Sequence, residues 1–412
     1  MACLHAYSYK VVNVWFRPRD MTARVFGIRI SIAYALMMMG SGVQLPFLPL
    51  WLKAKGLDNA SIAMIVAGMM AVRVLGAPLF AWVADHFGNR KLVIQLCAGF
   101  AFAAYLLLAI SNGFGPITTM ALIAGFMFAP VFALTEGFSV DGAAAHGLDY
   151  GRLRLWASVS FLMGSLISGA LLTKLDPLST AWLIALAQGL AFLATLLLPD
   201  EPKHATHEDA GGDMLGRARD LFFGSSFPLL MLVAALGQSS HAMLYTSSSL
   251  HWTSLGFNSF DISLLWVAAV SVEVALLGFS NRLLKALGPS RLLLLGLSGG
   301  VLRWMMMAAF TNYAVLLASQ MLHALTFASA HLGAMHFIRL MVPPDFRNRA
   351  QGLYAALSGG VFMATVAWMS GWLYETWGGQ AYYAMALVSF TALVLALALL
   401  RLNPRVRAAG AA

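Results

Sequence analysis

Charged residues and cysteines are both scarce in this chain. Only 10% of its 412 residues are charged, whereas a soluble domain carries about 25%. The two cysteines, Cys3 and Cys97, lie in the N-terminal tail and in an apolar run, so they form no disulfide framework. We find no phosphate-binding glycine loop, no metal-ligand cluster and no nucleophile constellation with interpretable spacing. These absences argue against a soluble protein, an ATP-driven pump, a metal site and an enzyme.

Apolar residues are abundant and fall into long runs. They make up 60% of the chain, in twelve runs of about 20 residues, the length that crosses a bilayer as a helix. We therefore predict an all-α membrane protein with twelve transmembrane helices in two pseudo-symmetric six-helix bundles, with the fourth span interrupted by Pro130. The predicted spans are 27–52, 59–84, 91–111, 115–140, 153–174, 178–198, 226–250, 259–280, 291–310, 313–340, 350–373 and 380–401.

The basic residues indicate the orientation of these spans. With both termini inside, we place 21 of the 26 Lys and Arg in cytoplasmic segments, which include the cytoplasmic ends of the spans. Lys53, Lys55 and Lys174 fall outside, and Arg73 and Arg303 are left within spans. This asymmetry is what the positive-inside rule predicts for a multi-pass protein of the inner membrane. The net charge of +9 is spread over separate short loops, so we expect no nucleic-acid partner.

The longest polar stretch divides the chain into two halves. We predict an N-terminal cytoplasmic extension at 1–26, a six-helix bundle at 27–198, a central cytoplasmic loop at 199–225, a second bundle at 226–401 and a cytoplasmic tail at 402–412. Residues 1–20 are polar and irregular, and Met21 is an alternative start. The basic loop after the second span recurs after the eighth, where Asn281 follows Asp85 by 196 residues (281 − 85).

Two parallel six-helix halves around a central loop are typical of the major facilitator superfamily. The loop after the second span resembles the signature of that superfamily at Asp85, Gly88, Arg90 and Lys91. We interpret these residues, with Asn281 and Arg282 in the second half, as a conformational latch between the halves; a solvated set of loop charges is the alternative.

Several segments resemble the phenylpropionate permease family and its relative, the lactose permease group of sugar–proton symporters, over roughly 27–401. They are the run 42–52, the run Asp149-Tyr150-Gly151-Arg152-Leu153-Arg154-Leu155-Trp156, the surroundings of Glu273 and of Asn281, the run 322–327, and the run 371–380. The resemblance implies that Glu136 and Arg154 form a substrate-binding ion pair, with Phe161 as an aromatic surface. It also implies that Arg303 and His323 belong to the proton-coupling machinery.

The chain departs from the sugar symporters at three positions. Thr326 replaces a proton-binding glutamate one turn beyond His323, and Gln320 replaces a basic residue one turn before it. Glu273 is displaced from the corresponding carboxylate, which would fall near Trp266. These departures favour the phenylpropionate-permease side of the resemblance.

Other polar residues within the spans carry open interpretations, because charges in a bilayer are costly and are usually functional. Arg73 lies 12 residues before Asp85 (85 − 73), about 18 Å along a helix; it could hold a substrate charge, pair with a buried acid such as Glu136, or snorkel. Glu136 and Glu273 are either proton carriers or permanent ion-pair partners, and His323 is either a relay or a simple hydrogen-bonding group.

A polar stripe marks the seventh span. Gln238, His241 and Tyr245 recur at helical spacing and must face a cavity or another helix. We predict that they line the substrate cavity.

We therefore predict a secondary active transporter that carries a small organic solute with a proton by alternating access, with an aromatic monocarboxylate favoured. The alternatives are a sugar or nucleoside symporter, a proton-driven exporter, and a sensor or assembly factor with the same fold. The proton gradient would drive transport without a cofactor. The expected partners are the small-molecule substrate, protons and lipid, with the protein acting as a monomer.

Overall fold

The computed structural model describes residues 22–199, 225–343 and 346–402, with Asn348 described by its backbone alone. Across these ranges twelve membrane-crossing helices confirm the predicted all-α architecture. The first half contains α1 (Ala23–Ala54), α2 (Asn59–Phe87), α3 (Arg90–Ile110), α4 (Phe114–His146), α5 (Tyr150–Leu172) and α6 (Thr180–Leu196). Most of the predicted extension, central loop and tail lies outside the described residues, as do Cys3 and Met21.

Three helices of the second half are broken. Helix α7 runs as Phe227–Ser239 and Ala242–Ser254, α10 as Tyr313–Met321 and Ala330–Met341 around a π-helical turn at Ala324–Ser329, and α11 as Arg347–Ala355 and Phe362–Trp377 around a π-helical turn at Ala356–Val361. The others are α8 (Ser259–Gly278), α9 (Ser280–Ala309) and α12 (Tyr382–Leu402). Length and hydropathy alone find eleven candidate spans, because Arg349–Leu402 is counted as one. Gly378, with φ at 53° and ψ at −135°, separates α11 from α12.

The turns that join the helices show that the halves repeat. Asp58 caps α2 by accepting a hydrogen bond from the Ser61 amide, and Asn258 caps α8 at the equivalent place of the second half. The left-handed Gly88 that ends α2 has its counterpart in Gly288, where α9 bends. Asp58 and Asn258 are 200 residues apart (258 − 58), as are Gly88 and Gly288 (288 − 88), whereas Asp85 and Asn281 are 196 residues apart (281 − 85).

Pro130 does not interrupt α4, contrary to the prediction. The helix is continuous over 33 residues, although proline cannot donate to the carbonyl four residues earlier, here that of Phe126. A methyl group at Gly76 of α2 would lie 2.5 Å from the Phe126 oxygen. The close approach of α2 thus covers the carbonyl that Pro130 leaves without its helical partner.

The two halves meet on one side of the bundle. We call the side that carries Arg24, Arg90 and Arg291 the basic side, and the side of Asp58 and Asn258 the opposite side. One apolar core near the opposite side contains residues of both halves, whereas the cores near the basic side belong to one half each. A cleft between the halves therefore opens toward the basic side.

Close helix contacts seal the opposite side. A methyl group at Gly371 of α11 would overlap the Ala63 side chain of α2. The Glu375 carboxylate accepts a hydrogen bond from the backbone N–H of Asn59, at the start of α2, at 3.3 Å. Trp51 and Trp252 are fully buried in the shared core. These contacts join the halves at the end away from the cleft.

Candidate functional site

Glu136 on α4 and Arg154 on α5 lie against each other at the cleft. The Arg154 Nε donates to Glu136 Oε1 at 3.1 Å. The Tyr150 hydroxyl donates to the same oxygen at 2.5 Å. The side chains of Arg154 and Glu136 are 45% and 34% exposed, so the pair remains open to a solute. Phe161 lies two turns beyond Arg154 on α5 and is half-buried.

A second polar cluster lies inside the other half, around Arg303 of α9. Its guanidinium is fully buried and donates to the Gln320 amide oxygen at 2.7 Å, to His323 Nδ1 at 2.8 Å and to the Thr326 hydroxyl at 3.1 Å. The guanidinium also stacks 4.6 Å from the centre of the Trp304 ring. The two residues that replace charged groups of the sugar symporters, Gln320 and Thr326, are therefore partners of Arg303.

Glu273 joins this cluster through His323. The His323 Nε2 lies 3.2 Å from Glu273 Oε2, and the Phe327 ring stacks on the other side of the imidazole at 5.2 Å. Glu273 lies on α8 and His323 on α10, so the contact joins two helices that are separated in the chain by α9. The residues Arg303, His323 and Glu273 thus form a continuous chain of polar contacts.

Two helix breaks meet at this cluster. His241 lies at the break in α7, and His323 immediately precedes the π-helical turn of α10. The His241 Nε2 lies 2.9 Å from the Thr326 hydroxyl. Such breaks are common at functional sites because they free backbone groups and redirect side chains.

The predicted polar stripe of α7 divides between two environments. Tyr245 lines a cavity. His241 is fully buried against Thr326 and Trp304 and is not part of the lining of this cavity. Gln238 is 6% exposed and contacts the Phe327 carbonyl at 3.5 Å. The break in α7 turns these residues away from the face that Tyr245 occupies.

Arg73 lies at the cavity that Tyr245 lines. This cavity also contains Gln44 and Tyr105, and the Tyr105 hydroxyl donates to the Gln44 amide oxygen at 2.6 Å. Within the described parts of the chain, no carboxylate lies within ion-pair distance of Arg73, and Glu136 is paired with Arg154 instead. The correspondence that pairs Gly88 with Gly288 also pairs Arg73 with Glu273, so the two charges occupy equivalent positions of the two halves.

The predicted latch residues lie on the basic side. Gly88 adopts the left-handed conformation, with φ at 63°, and ends α2. The Arg90 guanidinium contacts the Asp141 carboxylate at 2.7 Å, within the first half. Asp85 is exposed at the end of α2, and Lys91 lies in the first turn of α3. In the second half, Asn281 and Arg282 are exposed at the start of α9.

Three residues of these sites carry no role in the sequence analysis. Tyr150 precedes Arg154 by one helical turn, so helical spacing alone could have paired them. Gln44 is a polar residue in an apolar run, which also marks it. Tyr105 has no such signal, because a tyrosine in a membrane helix is common and its partner is on another helix.

Comparisons with known proteins agree with this architecture. The MFS_1 like family matches residues 27–385. The probable 3-phenylpropionic acid transporter of Escherichia coli (strain K12) is 28% identical over 370 residues, which cover 89% of this chain and 96% of the relative. The maltose permease of Geobacillus stearothermophilus is 26% identical over 384 residues, which cover 92% and 94%.

Solved structures share the fold. The nucleoside transporter NupG superposes with a TM-score of 0.77 at 18% identity, over 91% of this chain and 98% of that structure. A D-xylose–proton symporter superposes with a TM-score of 0.71 at 15% identity, over 90% and 97%. The chain therefore belongs to the MFS_1 like family and is a multi-pass transporter of the major facilitator superfamily rather than an enzyme.

Proposed function

We propose that this protein imports a small organic monocarboxylate together with a proton, and that an aromatic acid such as 3-phenylpropionate is its substrate. It would act as a monomer in the inner membrane with both termini in the cytoplasm, driven by the proton gradient. The cleft would then face the cytoplasm. Asp85 and its neighbours would latch the halves together when the cleft closes.

The observation that carries this proposal is the unpaired charge of Arg73. The side chain lies midway along α2, is exposed in the structure and lines the cavity. A charge at mid-membrane depth is costly unless it is hydrated or paired. The planar guanidinium matches a carboxylate through two parallel hydrogen bonds. An anionic substrate would supply the missing partner.

The walls of the cavity suit an apolar substrate body. Besides Arg73, Gln44 and the tyrosines, the lining consists of apolar side chains that include Leu48, Val66, Met69 and Met70. The cavity itself has a volume of about 50 Å³, so a bound aromatic acid would extend beyond it. Methionine packs well against aromatic rings. A carboxylate joined to an aromatic ring combines the two chemistries of this lining.

The two relatives point to different substrate classes. The relative from Escherichia coli is described as a probable 3-phenylpropionic acid transporter. The maltose permease is nearly as similar over a comparable length. In addition, the exposed pair Glu136 and Arg154, with Tyr150, offers hydrogen bonds that hydroxyl groups could share. A sugar or nucleoside symporter is therefore the second candidate.

Uptake of labelled 3-phenylpropionate tests the proposal directly. Cells that express the chain should accumulate the acid above empty-vector cells, and a protonophore should abolish this accumulation. Arg154→Ala should abolish uptake at unchanged membrane insertion, because Glu136 and Tyr150 lose their partner at the cleft.

Each other outcome identifies an alternative. Uptake of a labelled sugar or nucleoside but not of the acid would favour the second candidate. Proton-driven accumulation of the acid in everted vesicles, without uptake into cells, would indicate an exporter. Stabilisation by 3-phenylpropionate without uptake or counterflow would favour a sensor.

A further inference from the structure

The buried charge of Arg303 has only neutral hydrogen-bond partners nearby. Its guanidinium donates to Gln320, His323 and Thr326. In residues 225–343 and the other described ranges, no carboxylate lies within ion-pair distance of Arg303. Compensation of this charge must therefore pass through one of its partners, and His323 is the one that contacts an acid.

The contacts of His323 determine where its hydrogen lies. An arginine can only donate hydrogen bonds, so the Nδ1 that lies 2.8 Å from Arg303 must accept and carries no hydrogen. The single hydrogen of the neutral ring is then on Nε2, which donates to Glu273 Oε2 at 3.2 Å. A second proton on Nδ1 would face the guanidinium hydrogens directly. The ring is therefore held neutral as long as Arg303 contacts it.

The same reasoning applies to His241. Arg303 donates to the Thr326 oxygen, and the single Thr326 hydroxyl hydrogen has two acceptors within reach, His241 Nε2 at 2.9 Å and the His323 carbonyl oxygen at 3.2 Å. The His241 Nδ1 must carry the ring hydrogen, because its partner at 3.1 Å is the Gln238 carbonyl, which only accepts. His323 is thus neutral with no free position for a proton, and the shorter contact of the Thr326 hydroxyl favours a neutral His241 as well.

Glu273 is the member of this chain of contacts that has a free position. Its carboxylate accepts one bond from His323 and is 18% exposed, whereas His323 is 7% exposed. It therefore reaches the cleft more readily. The charged and titratable groups that face Glu273 are His323 and His331 from α10, Arg303 from α9, Arg154 from α5 and Tyr245 from α7.

We infer that Glu273 takes up and releases the transported proton, whereas His323 stays neutral and acts as a positioning residue that links Glu273 to Arg303. The inference rests on the proposed proton coupling. In the step, a carboxylate oxygen of Glu273 takes a proton from a hydronium ion in the cleft: an O–H bond of the hydronium breaks, one forms on Glu273, a water molecule is released and the negative charge of the carboxylate is lost. The bond from His323 Nε2 weakens, and Arg303 loses its indirect compensation. His323 directly precedes the π-helical turn of α10, which is a place where the helix can rearrange.

Infrared spectroscopy of the purified protein in lipid vesicles tests whether Glu273 takes up the proton, and it needs no substrate. The other carboxyl groups of the chain also protonate in a pH titration, so the signal is the separate carbonyl band of a carboxyl group in a partly buried site; the wild type should show this band, and Glu273→Gln should remove it. His323→Gln should keep the band, because the amide oxygen can accept from Arg303 while the amide nitrogen donates to Glu273. Glu136→Gln is the matched control acid in the other half and should also keep the band. Persistence of the band in Glu273→Gln, or its absence from the wild type, would overturn the inference.

Transport of labelled 3-phenylpropionate in the same vesicles separates this inference from the proposed function. Glu273→Gln should lose accumulation driven by a pH gradient but retain counterflow, whereas the accumulation that His323→Gln supports should still depend on the pH gradient. Accumulation by Glu273→Gln together with its loss in His323→Gln would contradict the assignment. If the wild type does not transport the acid while the band is still lost in Glu273→Gln, the proposed substrate fails and the proton assignment stands.

Discussion

Replacing Arg73 by glutamine should weaken carboxylate transport strongly while leaving the fold intact. The substitution removes the positive charge from the cavity and retains a hydrogen-bonding group. Arg73 has no carboxylate partner in the described ranges, and the Tyr105 hydroxyl bonds to Gln44 rather than to it. No buried acid is therefore left without its partner, and the side chain itself is exposed.

The expected loss in affinity follows from one charge-assisted interaction. A hydrogen bond to a charged group contributes about 1.5–3 kcal/mol, and about 1.4 kcal/mol corresponds to a factor of ten. The KM for 3-phenylpropionate should therefore rise by about 10- to 100-fold in Arg73→Gln. Arg73→Lys should lose less, because it retains the charge but not the planar fork.

Two measurements check this prediction. The KM is obtained from initial uptake rates, and inhibition by 3-phenylpropionamide, which has no charge, should change little in Arg73→Gln. The thermal unfolding midpoint of the purified variant should equal or exceed that of the wild type. Arg154→Gln is the matched control, since it leaves Glu136 without its cation and should lower the midpoint. An unchanged KM in Arg73→Gln, or a midpoint as low as that of Arg154→Gln, would refute the reasoning.

Two further predictions concern stability. Gly42→Ala should lower the free energy of unfolding by about 1–3 kcal/mol through overpacking, and with it the thermal midpoint, because its methyl group would overlap the Phe161 carbonyl oxygen. Gly352→Ala is the control and should be neutral or stabilising, because a methyl group there would have nothing within 4 Å. Equal midpoints of the two variants would contradict the packing argument. Hydrogen bonds from the Ser61 side chain and amide hold the pKa of Asp58 below its usual range, so its stabilising charge is present above the pKa of the unfolded chain and is lost as pH falls through the folded pKa. Asp58→Asn should therefore lose less of its melting temperature than the wild type on acidification, and parallel losses would count against this cap.

The number and nature of the helices could be read from the sequence. Apolar runs long enough to cross a bilayer must be helical there, because only a helix satisfies its backbone hydrogen bonds within one segment. The breaks in α7, α10 and α11 could not be read in this way. None of these breaks contains a proline, and they are stabilised by contacts between helices, such as that of His241 with Thr326.

Contacts between candidate residues also divide into those that the sequence predicted and those that it did not. Spacing and resemblance brought Glu136 together with Arg154, and Arg303 together with His323. The contact of Glu273 with His323 was not predicted, although both residues were named as proton candidates. Two helices can present many different residues to each other, depending on their rotation and tilt, and sequence periodicity within one helix does not specify either.

The sequence by itself determined a twelve-helix transporter of two related halves, because length, apolar composition and repeated turns are local properties of the chain. Only the tertiary structure decided that Arg73 has no carboxylate partner in the described ranges, that Tyr245 but not His241 faces the cavity, and that Glu273 ends a chain of contacts from Arg303. These are properties of helix packing, in which distances between residues far apart in the chain decide which charges are paired and which remain for a substrate or a proton.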